Sequence, residues 1–199
     1  NLTGKIQPAA YYNTNLPGKN DSFSSFTPSG YYESSPNKHD ELSLWRNRIA
    51  FLGNDYSDQG GVYLYTAADG ITPVATFNMQ LPKSTLHFKS FAYPTALANN
   101  GIAFLAYTSN QQTGLYKKNS PGTIVPLVQA GAPMPNDIKK KMTNITDYSF
   151  SRDVTHPNQF VFTAQGQDKT VGLFWVKNET HVQMIANQNT QIPGDSVGF

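Results

Sequence analysis

No cysteine occurs among the 199 residues of this chain. That absence excludes disulfides, thiolate zinc sites and cysteine nucleophiles. Charge is scarce too. Fifteen basic and 13 acidic residues leave a net charge of +2, too little to steer the chain to nucleic acid. No apolar run approaches the roughly 18 residues of a membrane-crossing helix, so no membrane insertion is expected. Sustained 3.6-residue periodicity is missing, apart from a short turn of helix expected between Asp40 and Ile49. The chain opens NLTGKIQ without a leader, so any export signal is expected upstream or already removed.

The place of charge is taken by Asn, Gln, Ser, Thr and Tyr, and 15 Gly and 13 Pro supply turns. A weakly charged polar surface with frequent turns points to short strands and to an exported β-rich protein.

Three segments of the chain align without a gap: 51–82, 104–135 and 162–193. Phe51, Phe104 and Phe162 coincide, as do Gly61, Gly114 and Gly172, and Pro82, Pro135 and Pro193. The periods are 53 (104 − 51) and 58 (162 − 104). An aromatic follows the proline by six residues at Phe23, Phe88 and Phe199, whereas the Pro135 copy has Lys141 there, with Met142 and Ile145 nearby. In the middle unit four strand-like runs, 86–93, 101–108, 113–118 and 123–130, alternate with Asn-, Ser-, Pro- and Gly-rich turns.

A four-stranded antiparallel unit repeated at this period is the mark of a β-propeller blade. The expected fold is therefore all-β: three full blades at about 17–81, 82–134 and 135–192, with 1–16 ending a preceding unit and 193–199 starting another. The recurring Ala-Phe and Gly-Leu-Tyr positions are expected in the core between blades, where small residues let sheets approach. Closed propellers usually have four to eight blades. Further blades in a longer chain, self-association, or pairing of the N-terminal run 4–12 with the C-terminal one would complete the ring.

NNGIAF (99–104), GLY (114–116), GAPMP (131–135) and NTQIPGD (189–195) resemble the tandem repeats of bacterial exported proteins named for an NxxGxxAF motif. The spacing departs from that motif at Gly101-Ile102-Ala103-Phe104, one residue tighter, and Arg48-Ile49-Ala50-Phe51 lacks the glycine. The resemblance implies a propeller-like fold and a secreted or cell-surface location, with the periplasm as an alternative. It implies no shared activity.

Chemistry-bearing patterns are few. Gly194-Asp195-Ser196-Val197-Gly198 spells a hydrolase-type G-x-S-x-G, but only Phe199 follows it, and the string coincides with the Pro-Gly join between repeats. His39, His87, His156 and His181 lack ligand spacing, and Asn54–Gly60 reads as a hairpin turn rather than a calcium loop. No catalytic residue, metal or cofactor is expected. Lys139-Lys140-Lys141 reads as a solvated loop.

Departures from the repeat are more telling, because binding residues tend to sit on loops held by a rigid scaffold. The segment 27–45 is far longer than its counterpart and carries Tyr31, Tyr32, His39 and Trp45. Such a loop suits stacking on sugar rings or anchoring a protein partner, although the same aromatics could simply cover a blade edge. NDIKKKMTNIT (136–146) is a second departure. The favoured function is a non-catalytic extracellular recognition module for a glycan or protein. The alternatives are a propeller hydrolase or lyase with a site at the blade axis, and a structural spacer.

Overall fold

The computed structural model describes residues 9–26, 42–98, 101–119, 122–135, 137–150, 159–178 and 181–191. Among these the chain is all-β, in three antiparallel sheets. Sheet 1 contains β1 (Leu42–Trp45), β2 (Arg48–Asn54), β3 (Gly60–Thr66) and β4 (Gly70–Thr76). Sheet 2 contains β5 (Phe88–Ala98), β6 (Gly101–Thr108), β7 (Thr113–Asn119) and β8 (Ile124–Gln129). Sheet 3 contains β9 (Pro133–Met134), β10 (Asp137–Phe150), β11 (Phe160–Gly166), β12 (Val171–Asn178) and β13 (His181–Asn187).

Strands recur at the spacing of the sequence repeat, and so does backbone detail. Asp58, Gln111 and Lys169 hold positive φ of 57°, 63° and 64° at the same point of the β2–β3, β6–β7 and β11–β12 turns. Each turn is closed by the same pair of backbone hydrogen bonds, for example Asp58 N–H to the Asp55 carbonyl and Asp55 N–H to that of Gln59. The fifth strand of sheet 3 is also a repeated feature. Its pairing of Pro133 with Lys141 matches the bridges Asn15–Ser22 and Gln80–His87, which form the linker hairpin ahead of each sheet.

Three sequence expectations change. Residues 42–49 form no helix: Arg46 and Asn47, with φ of 45° and 61°, make a two-residue turn joining β1 to β2. Two left-handed residues in succession match the right-handed twist of a hairpin. The lysine run is a strand rather than a loop, since Lys139, Lys140 and Lys141 lie in β10. The aromatic position of the third unit falls on Met142, not Lys141. Met142 pairs with Gly166 as Phe88 pairs with Thr108, and Ile145 opposes Ala164 as Phe91 opposes Ala106. One extra residue after Pro135 therefore shifts the register, and Lys141 points to solvent.

Each sheet uses two faces. One carries the stacked ring pair Phe51–Tyr63, Phe104–Tyr116 or Phe162–Phe174, with centroids 5.7, 5.8 and 5.1 Å apart. Phe23 and Phe88 stand edge-on to Tyr63 and Tyr116 at 4.9 and 5.0 Å. The other face carries aliphatic residues and packs on the ring face of the next sheet. Leu52, Val62 and Val74 of sheet 1 meet Phe88, Phe104 and Tyr116 of sheet 2 in one core. Leu105, Leu115 and Val128 of sheet 2 meet Met142, Phe162 and Phe174 of sheet 3 in another. Burying one such side chain contributes about 1.5–3 kcal/mol. A third core gathers Leu16, Phe23, Phe51 and Tyr63 on the ring face of sheet 1. Among the described residues, none of the three cores joins sheet 3 to sheet 1.

The repeated glycines serve the rings rather than the approach of sheets. A Cβ on Gly61, Gly114 or Gly172 would come within 2.9, 2.7 or 2.7 Å of the ring two residues on. Residues i and i+2 of a strand share a face, so each ring lies back over its own glycine.

Candidate functional site

Of the residues singled out in the sequence, Tyr31, Tyr32 and His39 lie outside the described residues. Trp45 closes β1, its backbone paired with Arg48; nothing further is described of it. Residues 192–199, with their G-x-S-x-G string, also lie outside.

A different aromatic group is gathered at the turn end of sheet 1. Tyr11, Tyr12 and Tyr56 are exposed at 63%, 56% and 57%. Tyr11 and Tyr12 belong to the linker ahead of the sheet, and Tyr56 sits in the β2–β3 turn. The Tyr12 and Tyr56 rings meet edge to face, centroids 5.9 Å apart. The Tyr56 hydroxyl donates to the Asn13 side-chain oxygen. A hydrogen bond with the Tyr12 side chain holds the Tyr56 phenol above its ordinary value.

Below this patch the turn is held by a buried carboxylate. Asp55 accepts from the backbone N–H of Ser57 at 3.0 Å and of Gln59 at 2.8 Å, and pairs with Lys19 Nζ at 3.2 Å. The Ser24 hydroxyl donates to the Asp55 carbonyl at 2.6 Å. Lys19 and Ser24 come from the linker, so these bonds tie the segment bearing Tyr11 and Tyr12 to the turn bearing Tyr56. Asp55 is thus engaged as a turn anchor, which agrees with the hairpin reading of 54–60. Burial, and secondarily the Asp55 charge, push the Tyr63 phenol up to about 12, so that ring stays neutral.

The repeat contained a signal for Tyr56. Its equivalents in the other units are Ser109 and Gln167, ordinary turn residues, so a tyrosine there is a departure. The Tyr11-Tyr12 doublet was equally visible. Neither stood out beside the longer aromatic insertion.

A half-open cleft beside sheet 3 is lined by Asp137, Lys140, Asp168, Asn187 and Asn189, with Phe174 and Met184. Lys140 Nζ lies 2.7 Å from Asp168 and 3.9 Å from Asp137. The Lys140 hydrogen bond, helped by the Thr170 backbone, brings the Asp168 carboxyl down to about 2. A carboxylate so held is a poor proton donor or acceptor at neutral pH. Among the described residues no group of three or more His, Cys, Asp or Glu is placed to hold a metal ion.

No family model matches the chain, and no curated protein matches it.

Proposed function

We propose that the chain is a run of β-propeller blades acting as a non-catalytic, exported recognition module, and that it binds a glycan at the Tyr11, Tyr12 and Tyr56 patch. One observation carries this reading. Two exposed rings, Tyr12 and Tyr56, meet at 5.9 Å on a support tied down by Asn13, Asp55 and Lys19. Exposed rings on a rigid support offer apolar faces to stack on sugar rings and hydroxyls for hydrogen bonds, at small entropic cost. Asn13, bonded to the Tyr56 hydroxyl, and Asp21, whose charge reaches Tyr56, belong to the same linker and are polar groups of the kind that fix orientation. A propeller framework suits this role, since its turns present side chains while its sheets remain rigid. The insertion with Tyr31, Tyr32, His39 and Trp45 would supply further aromatic rings for the same ligand class.

The test is a glycan array run beside a panel of hydrolase and lyase substrates. The expected result is binding to a limited set of glycans, weakened about tenfold or more by Tyr12→Ala and by Tyr56→Ala, with no turnover. Turnover removed by a single Asp, Glu or His substitution would replace this reading with an enzyme. Binding indifferent to both tyrosines would move the site elsewhere.

A further inference from the structure

We infer that the outer face of sheet 3 is a docking surface for a second copy of this chain, which seats the ring face of its sheet 1 there. The central strand β6 of sheet 2 is buried on both faces, whereas β11 alternates buried and half-buried. Strict alternation marks a sheet with one face uncovered. The uncovered face carries an apolar patch beside Thr163, Gln165 and Gln183: Val171, Leu173 and Ile185 are exposed at 43%, 36% and 51%, and half-buried Trp175 shares their side of β12.

Leu173 and Ile185 are not scattered surface hydrophobics, because the repeat gives both a buried apolar counterpart. Leu173 stands where Val62 and Leu115 stand, and both are covered by the next sheet. Ile185 stands where Val74 stands, buried against sheet 2. At Leu173 sheet 3 therefore offers what sheets 1 and 2 already bury, and at Ile185 what sheet 1 buries.

Sheet 1 shows the complementary gap. Phe26, Ile49 and Ile71 are only half-buried, while their counterparts Phe91, Ile102 and Ile124 are buried against the preceding sheet. Across the existing junction Lys118 Nζ donates to the carbonyls of Pro73 at 3.2 Å and Val74 at 3.4 Å. In sheet 1 that place is held by Tyr65, whose hydroxyl can donate likewise. Its acceptors would be the carbonyls of Met184 and Ile185, the counterparts of Pro73 and Val74 in the other copy. Among the described residues, both halves of an interface formed twice within the chain are thus left open.

Such a contact is head-to-tail, so it either closes a ring or grows into a filament. Two copies give about six sheets, within the usual four to eight of a propeller, and three copies give about nine, beyond it. The number of copies rests on the propeller reading; the interface rests on the repeated packing alone.

Light scattering on the unmodified chain should give twice the 22.0 kDa of one copy. Leu173→Glu and Ile185→Glu place charge on a surface exposed in the single chain, so each should fold. Each should weaken association about 30-fold or more, as for a hot-spot loss. Because the chain has no cysteine, Tyr65→Cys and Ile185→Cys chains can be mixed and treated with a short bis-maleimide. Crosslinking of the mixture well beyond that of either chain alone is expected. A monomer at every concentration, a mass unaltered by both glutamates, or no excess crosslinking in the mixture overturns the interface. An open ladder of masses overturns closure by two copies and, with it, the blade count.

Discussion

The ring of Tyr116 lies back across Gly114, where a Cβ would come within 2.6 Å of its Oη. The hydroxyl accepts from Gln129 Nε2 at 3.1 Å, and the ring stacks on Phe104 at 5.8 Å. With both sides engaged, the ring has little freedom to retreat. Gly114→Ala is expected to lower stability by about 1–3 kcal/mol through overpacking. Denaturant unfolding followed by tyrosine fluorescence measures it, and an unchanged midpoint would mean that the ring moves aside freely.

Phe104 is fully buried in the core joining sheets 1 and 2, in contact with Phe88, Phe91 and Tyr116. Phe104→Ala is expected to cost about 3–5 kcal/mol. Leu44→Ala, on an exposed position of β1, should stay within about 0.5 kcal/mol. Equal effects at the two positions would contradict the inter-sheet core.

Lys169 holds φ of 64° in the β11–β12 turn. A side chain is disfavoured in that region and glycine is not. Lys169→Gly should raise the unfolding free energy by up to about 1 kcal/mol, as the relief of strain exceeds the added freedom of the unfolded chain. Thermal melts of the two proteins decide the sign.

Asp168, bound by Lys140 and the Thr170 backbone, has its carboxyl lowered from an ordinary 3.8 to about 2. A folded value below the unfolded one means the ion pair stabilises the fold above the unfolded value. That contribution fades as pH falls through the folded one. NMR titration should find the Asp168 carboxyl still ionised at pH values where ordinary aspartates are half protonated. In Lys140→Ala its midpoint should rise towards the ordinary value. A midpoint insensitive to Lys140 would remove the ion pair as the cause.

Much of the fold was legible because the repeat multiplies weak signals. One glycine two residues before a ring says little, but Gly61, Gly114 and Gly172 at matching offsets locate three ring pairs. The strand runs of the middle unit were read within a few residues, except that β5 runs on to Ala98. Register was harder. A single inserted residue between Pro135 and Met142 put Met142 in the ring position, and a gapless alignment reads Lys141 there. The β1–β2 hairpin was hidden because Arg46-Asn47 lacks the glycine that usually marks such turns.

By itself the sequence determined the all-β class, the repeated unit and the positions of the ring pairs. These follow from local chemistry: alternation, turn residues, and glycines set two residues before a ring. Only the tertiary structure decided which faces are covered. Val62, Leu115 and Leu173 are equivalent in sequence, yet the first two are buried and the third is open. Tyr12 and Tyr56, far apart along the chain, are likewise brought together by the anchoring of Asp55 to Lys19 and Ser24. Burial of a repeated position depends on what the next sheet supplies, and local pattern cannot encode a neighbour.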